Sequence, residues 1–150
     1  MQRIARGGIS GIAATALMSL IIAAGRTLGM LHTPPPQQIT ANVQKESGVD
    51  PSSLSRQSFH ASWMVAHIAY GAGAGSVYAL LRSAFPKNRK VAGLAYGGLV
   101  WATSYLGLMP ALGLYPWPEE DDPSRVTVMI AAHAVYGLSL AEIEGRLTRR

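Results

Sequence analysis

Four long stretches of the chain carry no Asp, Glu, Lys or Arg: Gly7 to Gly25, Ala61 to Leu81, Val91 to Leu114 and Val126 to Ala141. They are 19, 21, 24 and 16 residues long, against the about 17–25 that a helix needs to cross a bilayer. Three meet that length, and the fourth draws on its flanks. A helix of a soluble bundle shows a charged face at helical period, and none of these stretches does. The pattern therefore predicts an all-α membrane protein with four transmembrane helices rather than a soluble four-helix bundle.

Turn residues punctuate this pattern. The first span runs out through Leu28-Gly29-Met30 to Pro34, and the third through Leu112-Gly113-Leu114 to Pro116 and Pro118. Prolines stop a helix because they lack the N–H donor and clash with the preceding turn. The second and fourth spans each follow an Asp-Pro-Ser, at Asp50 and at Asp122, an aspartate cap with proline at the first helical position. These signals predict helices over about 7–31, 51–82, 91–114 and 123–147 in one membrane domain, 1–150, with a long outer loop over about 32–50. In that loop Pro34 to Pro36 reads as extended chain, and Gln37 to Glu46 as a short surface helix.

The same order of signals occurs twice. Gly11-Ile12-Ala13 aligns with Gly93-Leu94-Ala95, and Ala66-His67 with Tyr70-Gly71 aligns with Ala132-His133 with Tyr136-Gly137. The expected architecture is two tandem helical hairpins, a parallel repeat about a pseudo-twofold axis along the membrane normal.

Charge sets the orientation. The net charge is +5 with only 14% charged residues. With the N-terminus inside, nine Lys and Arg fall on the inner side (Arg3, Arg6, Arg82, Lys87, Arg89, Lys90, Arg146, Arg149, Arg150) and four on the outer (Arg26, Lys45, Arg56, Arg125). The positive-inside rule then places both termini in the cytoplasm. No aromatics interleave with the basic clusters as a nucleic-acid groove would require, so the bilayer, and not nucleic acid, is the expected partner. A mean hydropathy of +0.18 is low for a membrane protein because glycines, alanines and the polar loop dilute it. Arg3 and Arg6 before an apolar run resemble a signal peptide, but the repeat needs that helix, so it is expected to be retained. Cysteine is absent, which removes disulfides, thiolate metal sites and cysteine nucleophiles.

Small residues mark helix contacts. Gly7, Gly11, Thr15 and Ser19 recur at every fourth position, and Gly71 with Gly75 and Gly93 with Gly97 repeat the spacing. Such stripes let membrane helices approach closely, within the bundle by preference and otherwise in self-association or a larger complex. Trp63, Trp101, Trp117, Tyr105 and Tyr115 read as interfacial anchors.

The candidate chemistry sits in the helices. His67 and Tyr70 share one face of the second span, and His133 and Tyr136 the matching face of the fourth. Ionisable groups at such depth usually face a bundle interior or a cavity. The pair reads first as structural glue, then as a proton or small-solute site, or as axial ligands of a haem or a metal ion. Glu142 and Arg146 form an i,i+4 ion pair. The run Glu119 to Asp122 is a solvated loop, a weak divalent-cation candidate, and a possible partner of Arg26. No Ser-His-Asp set, phosphate loop, metalloprotease motif or dinucleotide fingerprint is present, so no enzyme is expected, and no cofactor beyond the haem or metal alternative.

Ser62-Trp63 with His67, Phe85-Pro86-Lys87, Leu108-Met109-Pro110 with Pro116-Trp117, and the ending His133 to Glu144 before a basic tail together resemble the bacterial YagU-type inner-membrane family of unknown function. The likeness covers about Phe59 to Arg150. It implies a multi-pass inner-membrane protein without an assigned activity, in which histidines at the positions of His67 and His133 belong to the pattern. The expected function is a small non-catalytic membrane protein with a packing or accessory role. The alternative is a ligand, haem, metal or proton-handling protein centred on His67 and His133.

Overall fold

The computed structural model describes residues 1–149, so Arg150, one of the nine inner basic residues above, lies outside the described residues. Those residues form five helices and no strand: α1 (Gln2–Thr27), α2 (Pro35–Glu46), α3 (Arg56–Leu81), α4 (Arg89–Ala111) and α5 (Pro123–Thr148). All but α2 are long and apolar enough to cross a membrane.

Local chemistry sets the helix ends, and it moves several of the expected ones. α1 stops at Thr27 and α4 at Ala111, ahead of the expected 31 and 114. Gly29 (φ 74°) and Gly113 (φ 68°) turn left-handed there, and the N–H groups of Met30 and Leu114 close back on the Gly25 and Met109 carbonyls at 2.9 Å. This six-to-one closure ends a helix at a glycine, so the prolines further on are not the stop. Asp50 and Pro51 start only the single turn Pro51–Ser53, which ends where Leu54 turns extended (ψ 146°), although the Asp50 carboxylate holds Ser52 N–H at 2.9 Å and its hydroxyl at 2.7 Å. The long helix begins behind Ser55, whose hydroxyl accepts from Ser58 N–H at 3.1 Å. Asp122 does cap α5 directly, accepting from Ser124 N–H at 2.8 Å. Hydrogen bonds from Ser52 and Ser124 hold the Asp50 and Asp122 carboxyls below their ordinary range. Pro35 and Pro36 open α2 rather than extending the loop, since proline costs nothing in a first turn whose N–H groups lack partners anyway.

α4 is irregular for a visible reason. Pro110 has no N–H for the Leu106 carbonyl, and the backbone slips by one residue upstream. Ser104–Leu108 becomes a π turn in which Met109 N–H reaches Ser104 O.

Glycines decide how the helices pack. A Cβ on Gly11 would run into the Gly71 carbonyl, and one on Gly7 into the Gly75 carbonyl, so α1 and α3 cross antiparallel with backbones touching. α4 and α5 do the same where Gly93 meets Gly137 and Gly97 meets the His133 carbonyl. α1 also lies against α5, with Gly25 under Val128 and the Ser124 hydroxyl donating to Met30 O at 3.1 Å. The order across the bundle is α3, α1, α5, α4. Between α3 and α4 no backbone packing closes the arc. Side chains bridge that seam instead, and Ile9, Ile12, Leu20, Val65, Leu94 and Leu99 face outward, as lipid-facing helix surfaces do.

Candidate functional site

The unclosed seam leaves a cavity of about 290 Å³ in the half of the bundle nearest α2. α3 contributes His67 and Tyr70, α5 contributes His133 and Tyr136, and α4 contributes Trp101 and Ser104. α2 forms its roof through Ile39 and Val43, one helical turn apart. Two hydrogen bonds hold that roof: Asn42 Nδ2 donates to Leu114 O at 2.9 Å, and Gln44 Nε2 to Ser62 Oγ at 3.1 Å.

All four side chains singled out in the sequence thus border one space, in four different settings. His133 Nδ1 lies 2.8 Å from the Met129 carbonyl. A carbonyl only accepts, so Nδ1 carries the proton and Nε2 of the neutral ring is an acceptor. His67 Nε2 is enclosed and has no partner. Tyr136 is 2% exposed, and its hydroxyl donates to Gly71 O at 2.7 Å, tying α5 to α3. Tyr70 shares a hydrogen with Ser104 Oγ at 2.6 Å across the seam. At 46% exposure Tyr70 reaches from the cavity to the outer surface of the bundle.

Below the cavity, toward the termini, the bundle is solid. Tyr78 and Tyr96 pack with ring centroids 5.0 Å apart, and Phe85 meets Tyr96 edge-on at 5.6 Å. Tyr96 donates to the Ala74 carbonyl, and Tyr78 and Leu140 are fully buried.

The aromatic residues expected at the interface are divided. Trp117 is exposed, but Tyr105 and Tyr115 are buried, and Trp101 stacks on Tyr105 at 5.5 Å with a 16° tilt. A polar clamp holds this wall. Tyr105 donates to Asp121 at 2.8 Å, Arg125 donates to the Tyr115 hydroxyl at 3.2 Å, and Arg125 pairs with Asp121 at 3.0 Å. Burial pushes the Tyr115 hydroxyl up to about 12. The acidic run is therefore partly consumed: Asp121 is ion-paired and Asp122 is a cap. Among the described residues Arg26 makes no ion pair with it, while Glu142 and Arg146 do pair, at 2.8 Å. No group of three or more His, Asp or Glu side chains among those residues is placed to hold a metal ion.

Sequence reasoning missed Trp101, Ser104 and Gln44 as cavity residues. Pro110 inside an uncharged span was the available signal for an irregular α4, and the Ile39–Val43 spacing was the signal for a helix with one apolar face.

The family profile described as "Protein of unknown function (DUF1440)" matches residues 9–142. No curated protein matches the chain, and no solved structure does.

Proposed function

The chain belongs to the DUF1440 family of proteins of unknown function, and from that premise we propose a small, non-catalytic integral protein of the bacterial inner membrane that holds a small, mostly apolar ligand beside His67 and His133. One observation carries this reading: a cavity of about 290 Å³ whose wall residues His67, Trp101 and Gln44 each keep a buried polar atom without a protein partner. Unpaired polar atoms in a protein interior call for water, an ion or a ligand. Small-molecule pockets are apolar clefts of about 300–1,000 Å³ with a few polar groups, and this one lies just below that range.

Size weighs against a haem, whose macrocycle would have to displace the roof and Tyr70. The packed tyrosines beneath the cavity weigh against a solute path through the bundle. The packing role, with self-association or a larger complex, draws less support, because the glycine stripes that would serve it are occupied inside the chain.

The finer architecture belongs to the same proposal. Two tandem hairpins in a parallel repeat are supported by matched crossings, Gly11 on Gly71 and Gly93 on Gly137, and by matched glycine stops at Gly29 and Gly113. Cytoplasmic termini are supported by the nine-to-four bias in Lys and Arg. Kinship with the YagU-type proteins is supported by the helix-end motifs of the second half.

The experiment is extraction of the protein in mild detergent, followed by native mass spectrometry, an absorption spectrum and metal analysis on one sample. A bound organic molecule is expected in the wild type. It should be lost from Ala66→Phe, which fills the cavity from a position where Ala66 is exposed. A Soret band or stoichiometric metal would overturn the apolar-ligand reading in favour of ligation by the histidines. An empty, colourless wild type would return the protein to the packing role.

A further inference from the structure

We infer that the occupant is a lipid-soluble ring carrying carbonyl oxygens, a molecule of the quinone class, admitted from the bilayer through the α3–α4 seam. The inference rests on the ligand-binding reading above and specifies its chemistry.

The route comes from the walls. α2 closes one end of the cavity, and Tyr78, Tyr96 and Leu140 fill the bundle beyond the other. The α1–α3 and α4–α5 crossings are sealed by backbone contact, and the α1–α5 contact by Val128 packed on Gly25. The α3–α4 seam has no such glycine crossing, and at the level of the cavity Tyr70 and Ser104 are hydrogen-bonded across it. Tyr70 is also half exposed where the helices present an apolar surface. A molecule entering there comes out of lipid.

The head group follows from the unpaired atoms. An indole N–H only donates, so Trp101 Nε1, enclosed and unbonded, requires an acceptor. The Ser62 hydroxyl gives its one hydrogen to Phe59 O at 2.8 Å, so it accepts from Gln44 Nε2 and fixes that amide's orientation. Gln44 is left with Oε1 unpaired, an acceptor that suits a ring hydroxyl. His67 Nε2, also unpaired, adapts to either sense through its tautomer. One fixed donor, one fixed acceptor and one group that is either fit a ring bearing oxygens that interchange between carbonyl and hydroxyl. The stacked Trp101 and Tyr105 add flat apolar surface beside it. A fatty acyl chain would satisfy none of these atoms. Sealed from water and unbonded, each such atom carries a desolvation cost that a partner oxygen removes once the wall side chains part for it.

The test uses the full chain in lipid nanodiscs and two probes. One is a short-chain ubiquinone; the other is a hydrocarbon analogue with the same tail and methyl groups in place of the ring oxygens. Binding is read by ultrafiltration, corrected for partition into empty nanodiscs. The quinone is expected to bind saturably and about tenfold more tightly than the analogue, one hydrogen bond's worth of affinity. Trp101→Phe should keep the aromatic surface and erase most of that preference. Equal binding of both probes by the wild type would overturn the quinone assignment while leaving an apolar cavity intact. Binding of neither would overturn the assignment and the ligand-binding reading together. Because the preference is measured in the wild type itself, the outcome does not depend on the variant folding.

Discussion

At the α1–α3 crossing a Cβ on Gly11 would occupy the space of the Gly71 carbonyl, and at the α4–α5 crossing one on Gly137 would meet the Gly93 carbonyl. Both obstacles are backbone, which cannot rotate aside as a side chain can. Gly11→Ala and Gly137→Ala are therefore expected to force the helices apart and cost about 1–3 kcal/mol, the usual penalty of overpacking. Gly73 and Gly98 stand in the same two helix pairs with open space where a Cβ would go. There the alanine variants should be neutral or gain about 0.5–1 kcal/mol from the lost flexibility of glycine. Thermal unfolding of the four variants in one detergent checks both signs, and equal destabilisation in all four would contradict the packing. The four-residue spacing of these glycines is visible in the sequence. Which stripe meets which is not, because a small-residue face serves any close helix partner equally well. The histidines show the same division. His67 and His133 announce an interior by being costly in lipid, yet one is bonded to its own helix and the other unbonded, a difference set by neighbours rather than by motif.

Helix starts and stops were legible in part. Asp122, with proline next to it, begins α5 as its motif predicts, whereas the same motif at Asp50 begins a single turn, and left-handed Gly29 and Gly113 end helices ahead of the prolines expected to stop them. Two elements were less legible. The π turn of α4 depends on Pro110 withholding one N–H in a span whose apolar composition gives no other warning. α2 was expected as a short surface helix over Gln37 to Glu46, but its place over the cavity was not, since that comes from the Asn42 and Gln44 bonds to α4's exit and to α3. Those two bonds help to keep α2 down, beside buried Pro35 and the Ile39 and Val43 face on the cavity. Asn42→Ala with Gln44→Ala is expected to raise the population in which α2 is lifted, as local openings follow the least-anchored segment. Lys45 lies on its exposed side, so trypsin should cut after Lys45 several-fold faster in the double variant, with the four long helices still protected. Unchanged cleavage would mean the apolar face alone holds the roof.

Across the whole molecule, the glycine crossings and the cavity are linked by the contact that α3 and α4 do not make. In a perfect twofold arrangement the α1–α5 contact would recur as α3–α4. The first is tight, with Gly25 against Val128. The second is bridged by Tyr70 to Ser104 and by Tyr96 to the Ala74 carbonyl, and Ser104 and Tyr105 of the π turn line the cavity beside the histidines. The orientation of this assembly in the membrane is then decided by its ends. Four long helices of alternating direction put both chain ends and the α3–α4 connection on one side, and that side carries most of the Lys and Arg. A chain without cysteine allows the orientation to be read without background labelling. Single variants Ser53→Cys, before α3, and Ser83→Cys, after it, fall at exposed positions on opposite ends of the bundle. In spheroplasts an impermeant maleimide is expected to label Ser53→Cys at once, and Ser83→Cys only after the membrane is permeabilised. The reverse pattern would place the basic end outside, against the positive-inside bias, and with it the roofed cavity in the cytoplasmic half of the bilayer. Labelling of both without permeabilisation would show that the four apolar helices do not cross the membrane at all.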